Sequence, residues 1–312
     1  MKHISLFAGI GGAEEAMKQA GLSIETVAFS EIKNKTIQFY TELHGDCGVA
    51  LGDIKSLEQS DIEALGEIDI LTGGFPCQSF SRMGKQKGWD CPDLKEIVAA
   101  MVNVIAWSNP KYIVLENVSA VLQRPHGTRA EEFIDLIKKG GKEDAPYKYG
   151  VSIHIGNPRE LGYLQSRTRM YIVFSRVDQP QWTLPTQLEA LSSPQVFKID
   201  KKADPNRNCY KIGAKGAEIV FGENGHTTFA CVTARAAHSH CNRGTWIRHT
   251  DGSVRGATPD ELCQLFGWKR KPKYEVHPHG ISRATVYHGF GNSWHVGHAA
   301  AIFKTFPREV TK

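Results

Sequence analysis

One cysteine in this sequence is placed where a nucleophile could be presented to a ligand. Cys77 lies in the run Gly73-Gly74-Phe75-Pro76-Cys77-Gln78-Ser79-Phe80-Ser81, and the two glycines allow the backbone to approach a bound group closely. A cysteine thiolate is a strong nucleophile, although a Pro-Cys pair by itself more often marks a small buried side chain. Other groups that could support such chemistry are three acids at the ends of apolar runs and two arginines at alternate positions: Glu31, Asp53, Glu116, Arg167 and Arg169.

These residues need a framework, and the apolar runs predict one. The segment 68–71 reads as a short buried strand directly before the cysteine loop. Further strands are expected at 3–7, 26–29, 49–54, 111–115, 150–155 and 170–174, with helices at 13–20, 93–107 and 129–139. This alternation predicts a mostly parallel, doubly wound, Rossmann-like α/β sheet. Such sheets bind ligands at the carboxyl ends of their strands, which is where Cys77 and the three acids fall.

The amino terminus adds a turn suited to a nucleoside cofactor. Ala8-Gly9-Ile10-Gly11-Gly12 lies between the first strand and the first helix, where the exposed N–H groups of a helix start favour polar or negative groups. Glu31 ends the second strand, a position from which an acid typically bonds ribose hydroxyl groups. A nicotinamide dehydrogenase would share this turn, but it offers no explanation for the run at 73–81.

The second half of the chain differs in character. From 177 to 254 the helical periodicity disappears, and short β-branched pieces among prolines, glycines and histidines predict a smaller, irregular β-rich domain. A capped helix is expected from Thr258 to Gly267, then a glycine turn at 289–293 and an apolar helix at 298–306. We therefore predict a discontinuous catalytic domain, 1–176 plus 289–312, and a second domain at 177–288.

Composition limits the class of protein. A chain of 312 residues with 41% hydrophobic residues can bury a substantial core, and it contains no signal-peptide pattern or apolar stretch of membrane-spanning length. Seven cysteines without a CxxC pair suit a reducing compartment, so we expect a soluble cytoplasmic protein. The net charge is +5, and the basic excess in the second half is either a solvated face or a phosphate-binding one. Cys231, His238, His240 and Cys241 are zinc-ligand types, but their spacing matches no established finger, so no metal is expected.

Taken together, these segments resemble the DNA (cytosine-5) methyltransferase family, in particular its compact bacterial restriction-modification type. The matching motifs follow the family order along nearly the whole chain: 6–12, Glu31, 52–54, 73–78, 116–118, Gln165 with Arg167 and Arg169, then Arg255, Thr258, Glu261, Leu265 and Gly267, and finally 291–293. Any one motif could be coincidence, whereas the ordered set strongly favours Cys77 as a nucleophile.

The resemblance implies a specific reaction. A methyl group would pass from S-adenosyl-L-methionine to carbon 5 of a cytosine flipped out of double-stranded DNA, with S-adenosyl-L-homocysteine as the product. Carbon 5 is too weak a nucleophile by itself, so a thiolate must first add to the neighbouring ring carbon. By resemblance Cys77 is that nucleophile and Glu116 assists at the ring nitrogen. Arg167 and Arg169 would orient the exocyclic oxygen of the base and Glu116.

The resemblance also implies binding residues and partners. For the cofactor they are Phe7, Gly9, Gly11, Glu31, Ile32, Asp53, Ile54, Phe75, Asn292 and Ser293. For DNA they are Gln78, Ser81, Lys85, Lys87, Asn117, Lys215, Gly216, Thr233 and Arg235. The segment 82–92 would close over the base, and 177–254 would hold the target-recognition region. The enzyme would be a monomer in a bacterial or phage-infected cell, with a restriction endonuclease of the same site as a partner.

Three positions depart from the family pattern. Lys33 stands where many relatives carry an acid and is expected to be solvated, and Pro92-Asp93 interrupts the usual arginine-glycine pair of the mobile loop. Trp294 replaces a small β-branched residue, which bears on the outer wall of the cofactor pocket.

Two other functions share these motifs. A cytosine-5 methyltransferase of transfer RNA would have the same fold and nucleophile, although a dedicated region between 176 and 255 favours DNA. A catalytically silent DNA-binding regulator is the other alternative, and the intact Cys77, Glu116 and arginine pair argue against it.

Overall fold

A seven-stranded sheet forms the centre of the protein. The computed structural model describes residues 1–45, 48–76, 88–123, 127–142, 144–196, 198, 231–232, 246–248, 254–269 and 281–307. The strands of the sheet are β1 (Lys2–Leu6), β2 (Glu25–Phe29), β3 (Val49–Ala50), β4 (Ile70–Gly73), β5 (Tyr112–Asn117), β6 (Tyr149–Gly156) and β7 (Arg169–Arg176). Their order is β3-β2-β1-β4-β5-β7-β6, so the first strand lies near the middle.

The central strands are buried throughout because helices cover both faces of the sheet. Every residue of β4 and β5 is buried, as expected for strands enclosed on both sides. The described helices are α1 (Gly12–Gln19), α2 (Asn34–His44), α3 (Gln59–Glu63), α4 (Pro92–Ser108), α5 (Gly127–Lys138), α6 (Pro259–Leu265), α7 (Arg283–Asn292) and α8 (Val296–Phe303). Buried side chains of α3, α4 and α5 form one apolar cluster, and those of α1, α2, α6, α7 and α8 form the other.

The α/β class predicted from the sequence is confirmed, with two differences in the strands. The pairings among β1 to β5 are parallel, but β7 runs antiparallel between β5 and β6. The strand predicted at 49–54 contains Val49–Ala50 alone. Its second half turns instead, because the Asp53 carboxylate accepts the Lys55 backbone N–H at 3.0 Å and caps a short 3₁₀ turn.

Two helix boundaries also differ from the expectation. The glycine turn predicted at 289–293 is wrong, since Gly289 to Asn292 form the last turn of α7. Gly289 is needed for packing rather than for turning: a methyl group there would lie 2.5 Å from Ile10 Cγ2 and 3.4 Å from the Phe39 ring. Pro92 and Asp93 start α4, where proline at the first position and an acid in the first turn are both favourable.

The described parts of the predicted second domain contribute to the same core. Leu262 and Phe266 near α6 and Val286 of α7 belong to the apolar cluster that also contains Ala16 of α1 and Phe39 of α2. Two short antiparallel strands, β8 (Trp246–Arg248) and β9 (Val254–Gly256), are the described β-structure of this region. Most of 197–253 lies outside the described residues, so a separate β-rich domain remains a prediction. None of the helices in the described ranges is long and apolar enough to span a membrane.

Candidate active site

The candidate site lies where β4 and β5 end. β4 ends at Gly73, and Gly74 to Pro76 lead the chain towards Cys77. Cys77 lies outside the described residues, as do the predicted DNA contacts Gln78, Ser81, Lys85, Lys87, Lys215, Gly216, Thr233 and Arg235. The loop is anchored before the cysteine, because Phe75 is 2% exposed and its ring lies 5.9 Å from that of Trp89 and 5.8 Å from that of Phe133. The Phe75 side chain thus packs in the core, and its predicted cofactor contact would have to come from its backbone.

A buried ion pair joins the two strands beside this loop. Glu116 of β5 and Arg169 of β7 approach to 3.0 Å between Oε1 and Nε, and their side chains are 10% and 11% exposed. Burial raises the pKa of Glu116, while the guanidinium groups of Arg169 and Arg167 oppose that rise. The pair therefore presents an oriented carboxyl group that can carry a proton closer to neutral pH than an ordinary glutamate.

Asn117 holds the cysteine loop in place. Its side chain is 1% exposed, its Nδ2 donates to the Phe75 carbonyl at 3.0 Å, and its Oδ1 accepts the Val118 N–H at 2.8 Å. We predicted a substrate contact for Asn117, but both ends of its amide are engaged with backbone. In this structure Asn117 fixes the backbone just before Pro76 and Cys77.

Arg167 is directed elsewhere than the resemblance implies. Its Nη1 donates to the Val232 carbonyl at 3.0 Å, and its Nη2 donates to the carbonyls of Gly291 and Ser293 at 3.2 and 2.9 Å. The side chain is buried, and its guanidinium also lies 5.4 Å from the Phe266 ring centre. Arg167 therefore ties three distant segments together, whereas Arg169 is the arginine in contact with Glu116.

The sequence did not predict the contact between Cys231 and Arg167, because Cys231 was considered only as a zinc ligand. Arg167 Nη1 lies 3.2 Å from Cys231 Sγ. Burial raises the pKa of this thiol, but the neighbouring Arg167 and Arg169 outweigh that effect and lower it below the ordinary value. No local pattern around residue 231 could have indicated a contact with an arginine 64 positions away.

The glycine turn after β1 has the backbone geometry predicted for a cofactor site. Gly9 and Gly11 have φ of 57° and 74°, a region that favours glycine, and Phe7 also has a positive φ of 54°. Gly11 is the amino-terminal cap of α1. The turn therefore lies directly at a helix start, the kind of position that favours polar or negative ligand groups.

Two acids and two apolar residues border this turn. Glu31 Oε1 accepts the backbone N–H groups of Ile32 and Lys33 at 2.9 and 3.0 Å, which orients the carboxylate and leaves Oε2 without a hydrogen bond to a described residue. Ile32 is 65% exposed, so its side chain is accessible for the predicted adenine contact. Ile54, predicted for the other adenine face, is 3% exposed in the core beside Asp53.

The chain returns to the turn through the end of α7. Ser293 is buried, its Oγ has no partner among the described residues, and a methyl group on Gly12 would collide with it. Asn292 Nδ2 lies 3.2 Å from His288 Nδ1, and Lys33 Nζ lies 3.0 Å from His288 Nε2. Lys33 is exposed as expected, but this contact links it to α7 beside Asn292.

Trp294 is largely buried. It is 7% exposed, and its ring packs 5.8 Å from Tyr171 and 6.4 Å from Phe303.

Within the described ranges no cluster of three or more histidine, cysteine or acidic side chains has an arrangement suited to a metal ion.

Comparisons with known proteins show which proteins this chain is similar to. A family model described as C-5 cytosine-specific DNA methylase matches residues 1–213. The type II methyltransferase M.NlaX of Neisseria lactamica is 31% identical over 303 residues, which cover 94% of this chain and 91% of that protein. The orphan methyltransferase M.SPRI of Bacillus phage SPR is 29% identical over 189 residues, and the match spans 59% of this chain but 40% of the phage protein.

A solved structure shares the fold. The Entamoeba histolytica methyltransferase EhMeth superposes with a TM-score of 0.80 at 17% identity, over 100% of this chain and 99% of that one. The family model spans more than half of the sequence, and M.NlaX aligns along almost its full length. On these grounds the chain belongs to the C-5 cytosine-specific DNA methylase family.

Proposed function

We propose that this protein transfers a methyl group from S-adenosyl-L-methionine to carbon 5 of cytosine in a specific short sequence of double-stranded DNA. One observation carries the proposal: a buried Glu116–Arg169 pair stands beside the loop that leads to Cys77, at the strand ends where such sheets bind ligands. Family membership supplies the substrate class.

The residues around the glycine turn fit a nucleoside cofactor. Positive φ at Gly9 and Gly11 opens the backbone, Glu31 has a carboxylate oxygen available for ribose hydroxyls, and Ile32 offers an exposed apolar side chain to a base. Asn292 and Ser293 lie at the other side of the turn and would hold the amino-acid end, for which the buried Ser293 Oγ is an available donor. When bound, S-adenosylmethionine supplies an electrophilic methyl group.

The protein side chains would prepare the base for that methyl group. The Cys77 thiolate forms a bond to carbon 6 of the ring, and the ring electrons shift towards carbon 5 and the ring nitrogen. Glu116 donates its proton, or a hydrogen bond, at that nitrogen, and Arg169 keeps the carboxyl group oriented. After carbon 5 is methylated, loss of its proton expels the thiolate and restores the aromatic ring.

The target base must leave the helix to reach these groups, so we propose that it is flipped into the pocket. We assign sequence recognition to residues 177–254 and closure over the base to 82–92. A restriction endonuclease acting on the same site is the partner that this type of enzyme implies, and we expect the methyltransferase to act as a monomer.

The test uses tritiated S-adenosylmethionine with plasmid DNA and, separately, transfer RNA, followed by bisulfite sequencing of labelled DNA. We expect label on plasmid at one short motif and none with the Cys77→Ala variant. Label on transfer RNA alone would replace the DNA assignment by the RNA one, and normal labelling by Cys77→Ala would refute the covalent mechanism. Exchange of residues 177–254 for the segment of a relative should change the methylated motif; an unchanged motif would contradict the recognition assignment.

A further inference from the structure

Trp294 places an indole N–H beside the carboxyl group of Glu116. A methyl group added to Gly74 would lie 2.9 Å from Trp294 Nε1, 3.6 Å from Glu116 Oε2 and 3.7 Å from the Glu116 carbonyl oxygen. The indole nitrogen and the carboxylate oxygen therefore border the same small space, which Gly74 leaves open because it lacks a side chain.

The position of this indole is fixed from several directions. Its ring contacts Tyr171 edge-on and stacks on Phe303 with an angle of 7° between the planes. Its backbone lies against the start of α1, since a methyl group on Gly12 would be 3.2 Å from Trp294 N and 3.3 Å from Trp294 Cβ. The residue before it is held by the 2.9 Å bond from Arg167 to the Ser293 carbonyl. Few other ring positions are compatible with these contacts.

The N–H group has no other use in the described structure. Trp294 makes no hydrogen bond to a described residue, whereas the Nε1 of Trp182, another buried tryptophan, donates to Thr305 Oγ1 at 2.8 Å. This N–H group is not fully enclosed by protein atoms, so it opens onto the space in front of Gly74, which a carboxylate oxygen of Glu116 also borders.

We propose that Trp294 is a positioning residue for Glu116: its indole N–H donates to the Glu116 carboxyl group, directly or through one water molecule, when the site is engaged. The side chain would share this task with Arg169, which contacts Oε1 while Trp294 faces Oε2. The two donors from different elements would hold the carboxyl plane at both oxygens. The catalytic meaning of this arrangement rests on the proposed function, but the contact itself does not.

The charges around Glu116 determine the sign of the expected effect. Arg169 of β7 and Arg167, from the segment before β7, both act on the Glu116 carboxyl group. Tyr171, whose side chain carries a hydroxyl, also belongs to β7 and pairs directly with Glu116 across the two strands. An N–H donor stabilises the charged carboxylate and so lowers its pKa. Removing the donor should raise the pKa of Glu116, in the same direction as burial does.

The experiment compares Trp294→Phe with the matched control Trp182→Phe, which removes an indole N–H bonded to Thr305. The pKa of Glu116 is measured by carbon-13 NMR on protein labelled at glutamate side-chain carboxyls, with Glu116→Gln identifying the resonance. We expect Trp294→Phe to raise this pKa by about one unit and Trp182→Phe to leave it unchanged. Gly74→Ala should act in the same direction as Trp294→Phe, because its methyl group displaces the indole, and the two changes together should be no larger than either alone.

Kinetics on DNA provide the second readout. In Trp294→Phe we expect kcat to fall about tenfold with the KM for S-adenosylmethionine unchanged. A large rise in that KM without a change in the Glu116 pKa would overturn the proposal and assign the indole to the cofactor. An unchanged pKa with unchanged kinetics would also overturn it and leave Trp294 as packing. An inactive wild-type protein would refute the proposed function but not the contact, because the NMR titration needs no turnover.

Discussion

The bond from Asn117 to the Phe75 carbonyl gives a sharp prediction about how the nucleophile is held. Asn117→Asp keeps the size of the side chain and the acceptor for the Val118 N–H but replaces the donor to Phe75 by an oxygen. The Phe75 carbonyl lies 3.0 Å from that donor, and Asn117 is 1% exposed. In the variant this carbonyl would lose its partner and face a second oxygen. Leaving such a group unpaired costs about 1–3 kcal/mol, so the free energy of unfolding should fall by about that amount.

The larger effect should be on catalysis. Phe75 is separated from Cys77 by Pro76 alone, so a shift of the Phe75 carbonyl is passed to the cysteine with little loss. A misplacement of roughly 1 Å can lower a rate about 100-fold, and we expect that loss in kcat for Asn117→Asp. The KM for S-adenosylmethionine should change little, because the glycine turn is not touched.

The assay is single-turnover methyl transfer to plasmid DNA, with urea denaturation of the same preparations. Asn109→Asp is the control: it makes the same chemical change at the other end of the sheet, at the carboxyl end of α4, and should leave kcat unchanged. An Asn117→Asp protein whose kcat stays within about twofold of wild type would refute the reasoning that this bond positions the nucleophile.

Three further outcomes are expected. Glu116→Gln should reduce methyl transfer by about 10²–10⁴-fold while urea unfolding shows a folded protein, since the amide keeps the shape but cannot donate the proton; wild-type activity would remove Glu116 from the mechanism. Arg167→Met should lower the free energy of unfolding by about 3 kcal/mol or more, because the carbonyls of Val232, Gly291 and Ser293 lose a charged donor; a loss below about 0.5 kcal/mol would contradict its role as a tie. Burial lowers the pKa of His298 from 6.5 to about 3. Between these pH values the unfolded chain binds a proton that the folded protein does not. The contribution of His298 to the free energy of unfolding is therefore complete above pH 6.5 and declines as the pH falls below it. His298→Gln should make that decline shallower by about 1.4 kcal/mol per pH unit, as measured by urea unfolding across this range, and an unaltered slope would show that His298 is not the group responsible.

Some of the site could be predicted because it depends on local pattern. Strands β4 and β5 are buried on both faces, so each begins with an apolar run, and these runs end at Thr72 and Glu116. The glycine turn after β1 was equally visible, because the positive φ of Gly9 and Gly11 requires that residue type.

Other features depend on partners that no local pattern contains. Alternation predicts that Arg167 and Arg169 extend in the same direction, but Arg167 lies before β7, and no local pattern reveals that carbonyls 65 to 126 positions away bind its guanidinium group. An apolar run such as β7 gives no strand direction, so the antiparallel pairing with β5 was not predicted. The glycine at 289 signalled a turn, although its actual cause is the close approach of Ile10 from the opposite end of the chain.

Ser293 contacts Arg167, and Ser293 and Trp294 both lie against Gly12, so segments far apart in the sequence must meet before the site is complete. This affects when the site can form during synthesis of the chain. The glycine turn after β1 and the strand β5 with Glu116 leave the ribosome early. Ser293 and Trp294, which lie against this turn and beside Glu116, are translated after almost all of the sheet. A nascent chain can therefore fold much of its sheet while Arg167 still lacks its carbonyl partners, since domains generally fold from the amino terminus as they emerge. Completion of the site becomes one of the last steps of folding, and an interrupted chain would carry Cys77 and Glu116 without Ser293 and Trp294.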